Sequence, residues 1–134
     1  MSRSVYSDLV MHHFEQPANA GPLAGDMADV FTGAAGQRES GTQVRFQARI
    51  DAGRISDMGF QAYGCPHTIA ACSLATQRLL HQPAAALMTL DRADLMEALS
   101  VPVEKTGRML VLLDALHHCF RAWENRQLAG KPPA

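Results

Sequence analysis

The chain's reactive side chains are three cysteines, Cys65, Cys72 and Cys119, and six histidines. Cys65 stands in Gly64-Cys65-Pro66, between a segment that reads as a strand and one that reads as a helix. Unpaired N–H groups at a helix N-terminus favour a thiolate, the form that attacks electrophiles and binds metals. A free cysteine elsewhere usually packs as a small hydrophobe. Both readings apply to Cys65, and the strand-to-helix junction favours the reactive one. Cys72 lies on the apolar stripe of the same helix, roughly 10 Å and two turns onward, too far to share a metal ion on a rigid helix. It is expected in the core. Cys119 adjoins His117 and His118. Neighbouring helix residues point in different directions, so the three read as a packing or surface cluster, as does His12-His13. His67, two residues after Cys65, has three readings: a hydrogen-bond partner of the thiolate, a second ligand, or a solvated loop residue.

These side chains need elements to place them. Ser4–Phe14 reads as an amphipathic helix with Val5, Leu9 and His12 or His13 on one side, capped by Ser4 or Ser7 and ended by Pro17. A Gly/Pro/Asn loop follows. Asp29–Thr32 is expected as a short strand, and GAAGQRESG after it as a second loop. Gln43–Ile50 alternates Val44, Phe46, Ala48 and Ile50 with polar residues, the pattern of a strand with one buried face. Asp51-Ala52-Gly53-Arg54 is turn chemistry, and Ile55–Tyr63 returns as the partner strand, with Met58, Phe60 and Ala62 on one face. Thr68–Leu80 is expected as a buried helix with Ile69 and Cys72 on its stripe and Pro66 in its first turn. Short helices over Pro83–Met88 and Asp91–Leu99 precede a long one from Val103 or Lys105 to Leu128. Its buried side carries Met109, Leu112 or Leu113, Leu116, Phe120 and Trp123. The layout is α+β: an N-terminal helix, a small three-stranded antiparallel sheet, then helices packed on one sheet face.

Composition narrows the function. With 134 residues, one domain over 1–134 is expected, with a tail over 129–134. Twelve Lys+Arg against 13 Asp+Glu, net charge −1, lack the electrostatic footprint of a nucleic-acid binder. No window approaches the roughly 20 apolar residues of a membrane span, and the opening MSRSVYSDLVMHHFEQ has no apolar signal region. An odd cysteine count without an export signal points to a reducing, cytoplasmic setting.

Three stretches, in order, resemble the IscU family, the scaffold proteins of iron–sulfur cluster assembly that also form the N-terminal domain of NifU. They are YSDLVMHHFEQPANAG at Tyr6–Gly21, GFQAYGCPHTIAACSLAT at Gly59–Thr76, and LSVPVEKTGRMLVLLDALHHCFRAW at Leu99–Trp123. Together they imply the IscU/SufE-like fold. The family holds a cluster or zinc ion with three cysteines, an aspartate and a histidine. By resemblance, Ser40-Gly41-Thr42 stands where the family has Cys-Gly-Asp, Cys65 matches the second cysteine, and Gly107-Arg108 replaces the His-Cys pair. Arg108 brings a permanent positive charge where a soft anionic ligand belongs. If it lies near Cys65, as the family alignment implies, it holds the thiolate.

Three functions follow as expectations. One is an iron–sulfur assembly protein of the IscU/NifU type, degenerate at the cluster site, that keeps iron or a cluster through Cys65 with His67, within a monomer or across a homodimer. The second resembles SufE, in which a lone cysteine after a glycine accepts sulfur as a persulfide. The third is a non-catalytic binding or regulatory module that keeps only the fold. The resemblance implies a cysteine desulfurase and other iron–sulfur biogenesis proteins as partners, and a scaffold or carrier rather than an enzyme.

Overall fold

The computed structural model describes residues 6–130. Helix α1 spans Asp8–Glu15, followed by strands β1 (Val30–Gln37), β2 (Thr42–Asp51) and β3 (Arg54–Tyr63). Helices α2 (Pro66–Leu79), α3 (Ala86–Thr89), α4 (Arg92–Leu99) and α5 (Thr106–Ala129) complete the order. Short 3₁₀ turns at Arg38–Ser40 and Val103–Lys105 precede β2 and α5. The sheet is antiparallel in the order β1-β2-β3.

The alternation read from β2 holds. Val44, Phe46, Ala48 and Ile50 are buried, joined by Ile55, Met58 and Phe60 of β3. Helix α5 packs on β1 and β2, α2 packs on β3, and α1 rests on α2. Helices therefore cover one sheet face, and Met109, Leu112, Ala115 and Leu116 of α5 meet Ala71, Cys72, Ala75 and Leu79 of α2 in one core. Phe120 and Trp123 are only partly buried against it. Leu112 is fully enclosed, so truncating it to alanine costs about 2–5 kcal/mol.

Four expectations are corrected. The strand expected over Asp29–Thr32 runs on to Gln37, through half of the supposed loop. Gly33 serves contact with α5, since a Cβ there would strike the backbone of Ala115 and Cys119, and Gly36 sits at φ 84° against the Thr42 carbonyl of β2. Only Arg38–Gly41 turns, with Gly41 at φ 88° in the left-handed region. Helix α1 buries Val10 and His13, while Leu9 is 41% exposed. Ser7 caps it by accepting the Val10 N–H at 3.2 Å, and the Ser4 cap and Val5 lie outside the described residues. On α2, Ile69 is half-buried and the covered side carries Ala70, Ala71, Cys72 and Ala75. Residue Ala129 still belongs to α5, and 131–134 lie outside the described residues. No helix among the described residues is long and apolar enough to cross a membrane.

Candidate functional site

Strand β3 ends at Tyr63, and Gly64 passes so close to α2 that a Cβ there would lie 3.0 Å from the Thr68 side chain. The next residue, Cys65, is the N-cap of α2, extended at φ −77° and ψ 170°, with Pro66 opening the helix. The sulfur therefore sits where α2 presents its unsatisfied N–H groups. Two cations from the far end of the chain complete its surroundings. Arg108 donates from Nη1 to Sγ at 3.2 Å, and Lys105 from Nζ at 3.7 Å. The Thr68 hydroxyl is 3.6 Å away. Burial pushes the Cys65 thiol up, but the Thr68 N–H and hydroxyl, the Lys105 charge and the His67 N–H outweigh it. The net result is a thiol held below its ordinary value.

His67 takes a role outside its three readings. It lies in the first turn of α2 at 2% exposure, and its ring turns to Lys105 rather than to the sulfur. Its Nδ1 is 2.8 Å from Lys105 Nζ. An ammonium can only donate, so Nδ1 accepts and the ring proton sits on Nε2. Burial, then Lys105 and Arg108, push the imidazole down, so it is neutral at pH 7. The buried Nε2 has no hydrogen-bond partner among the described residues, a cost of about 1–3 kcal/mol. Lys105 also lies over the Tyr6 ring at 5.2 Å, and that ring meets His67 edge-on at 4.7 Å. His67 thus anchors Lys105, and Lys105 faces Cys65.

Beside this cluster is a depression of about 300 Å³ lined by Ser40, Thr42, Glu104, Gly107, Arg108 and Val111. All four positions at which the resemblance puts missing ligands line it, and Arg108 joins it to Cys65. The fold brings the set together. Ser40 commits its hydroxyl proton to the Gln37 carbonyl at 2.8 Å, Thr42 is 4% exposed, and Gly107 leaves open space where a side chain would be. One thiolate, two neutral hydroxyls and a guanidinium do not fit a cluster or zinc ion, which needs thiolate, imidazole or carboxylate at nearly every corner. Among the described residues, no group of three or more Cys, His, Asp or Glu could hold a metal ion.

The other two cysteines are core residues, as expected for Cys72. Cys72 and Cys119 are fully enclosed. Burial pushes the Cys72 thiol far up; it pushes Cys119 up to about 12, against a smaller pull from the Gly33 N–H. The Cys119 thiol donates to the Phe46 carbonyl at 3.3 Å. His118 turns to the Ala34 carbonyl at 2.8 Å, and His13 to the Ser73 hydroxyl at 2.7 Å. Sequence reasoning missed Lys105, Thr68 and Glu104. Spacing could have found the first two: Thr68 is three residues after the N-cap cysteine, and Lys105 is three before Arg108.

Known proteins show the same architecture. The Azotobacter vinelandii iron–sulfur cluster assembly scaffold protein IscU is 32% identical over 123 residues, 91% of this chain and 96% of its own. The Escherichia coli scaffold protein of that name is 27% identical over 125 residues, 92% and 98% of the two chains. Among solved structures, the N-terminal part of a nitrogen-fixing NifU-like protein from Brucella abortus superposes with a TM-score of 0.68 at 16% identity, covering 90% of this chain and 94% of that one. Residues 5–129 match the family described as the NifU-like N terminal domain, and to that family this chain belongs.

Proposed function

We propose that this protein serves iron–sulfur cluster assembly as a sulfur carrier, taking sulfur from a cysteine desulfurase as a persulfide on Cys65. One observation carries the reading: Arg108, at the position of a family ligand, instead donates to the Cys65 sulfur at 3.2 Å. The family relation supports the process, since relatives across most of the chain are named iron–sulfur cluster assembly scaffold proteins. The donor set supports the step. Cys65 thiolate attacks the terminal sulfur of the donor persulfide; a new S–S bond forms at Sγ, the donor's S–S bond breaks, and the donor leaves as a thiolate. Arg108 and Lys105 stabilise the anion before attack and the persulfide anion afterwards. The role is that of a carrier rather than an enzyme. We place it in the cytoplasm, where three free thiols suit a reducing environment.

Incubation with a desulfurase and cysteine, followed by mass spectrometry of the intact protein, tests this. Wild type should gain one sulfur and Cys65→Ser none. Anaerobic treatment with iron and sulfide tests the scaffold reading: visible absorption with stoichiometric iron, in a monomer or a dimer, would overturn the carrier account. If Cys65→Ser matches wild type in both assays, only a fold-based docking role remains.

A further inference from the structure

The depression beside Cys65 carries charges of both signs that do not pair with each other. Glu104 and Arg108 are four residues apart across the start of α5, a spacing at which such side chains usually meet. Here Arg108 gives Nη1 to the Cys65 sulfur, and Glu104 makes no hydrogen bond or ion pair among the described residues. Arg108 and Glu104 line one space of about 300 Å³, together with Ser40 and Thr42. Gly107 keeps it open: a Cβ there would meet nothing within 4 Å. That volume suits a small molecule rather than a protein segment. A carboxylate fits the guanidinium in the bidentate manner, and an ammonium fits the glutamate.

We infer that this depression binds the α-amino-acid end of a low-mass sulfur donor, cysteine persulfide, and presents its outer sulfur to Cys65, with cystine as the stable disulfide that the same place accepts. This rests on the reading of Cys65 as a sulfur acceptor and names a second, small-molecule source for it. With cysteine persulfide, the Cys65 thiolate takes the terminal sulfur, the donor S–S bond breaks, and cysteine leaves as its thiolate. With cystine, the thiolate forms a mixed disulfide and one cysteine thiolate departs; the disulfide itself is the oxidant.

Cystine, cystamine and 3,3′-dithiodipropionate separate the terms, because they carry both charges, only ammonium and only carboxylate. The rate of mixed-disulfide formation at Cys65 is followed by mass spectrometry. Each rate is divided by that of the same disulfide with 2-mercaptoethanol. Cystine should lead both analogues at least tenfold, and Glu104→Gln, a conservative change at an exposed residue, should bring cystine down to the dithiodipropionate rate. Equal normalised rates, or dithiodipropionate leading, would show plain attraction of anions to Arg108 and overturn the inference. Desulfurase-driven labelling of Cys65 in the same preparation keeps the two ideas apart. Sulfur from the enzyme without cystine preference sinks the small-molecule site alone; no sulfur from either source sinks the carrier reading with it.

Discussion

Cys65 and Cys119 are the same residue in opposite solvents. Cys65 caps a helix at its positive end, half-buried, with two cations and a hydroxyl within 3.7 Å. Cys119 lies mid-helix under the sheet, fully enclosed, with carbonyl oxygens as its partners. Cations and donors around the first stabilise an anion, whereas burial around the second stabilises the thiol and outweighs the one N–H, from Gly33, that favours the anion. Reactivity here follows from what points at the sulfur, and counting cysteines says nothing about it.

The contrast is open to direct experiment. The largest expected effect is alkylation. In the native protein a small iodoacetamide-type reagent should label Cys65 alone, with Cys72 and Cys119 at least about 10³-fold slower, since they react only after opening. Comparable labelling of Cys119 without denaturant would remove the contrast. Stability should run the other way. Cys72→Ser buries a hydroxyl in an apolar site and should cost about 1–3 kcal/mol in urea unfolding, whereas Cys65→Ser should stay within about 0.5 kcal/mol.

Smaller effects probe the cations and the buried imidazoles. Lys105→Met removes a charge that holds the Cys65 thiol low. Alkylation near pH 7 should slow roughly two- to fivefold, the span of one partly screened charge, and its midpoint should move up in pH. His67 and His13 both sit below the ordinary histidine value of 6.5 in the folded state, chiefly through burial. Below that value the unfolded chain takes up protons that the folded one refuses. Stability should therefore fall as pH drops below 6.5, until the folded imidazoles titrate as well. Unfolding midpoints at pH 7.5 and 5.5 check the sign, and His13→Gln should flatten the dependence.

Much of this was legible in the residues. Strand β2 announced itself because its buried side chains alternate strictly, and α2 because Pro66 follows a cysteine at a change of period. Strand β1 was legible only in part. Its glycines carry turn propensity, and the reason for Gly33 is its contact with α5, which the local sequence does not show. On helix α1 the sequence left His12 and His13 open and the second is buried, whereas Leu9 was read in place of Val10, which faces α2 one residue on. At the site, Cys65 and Arg108 could be reached through the family likeness. Lys105 was open to the spacing with Arg108, but the hold on its ammonium by His67, which turns away from the sulfur, appears only in three dimensions.

On the proposed function, one thiol of three carries sulfur. Peptide mapping after turnover with a desulfurase and cysteine, with the persulfide trapped by alkylation before digestion, tests it most directly. The added sulfur should appear on the peptide containing Cys65 and on neither of those containing Cys72 or Cys119. Sulfur on either of the latter, or none on Cys65 while the desulfurase turns over, would contradict it.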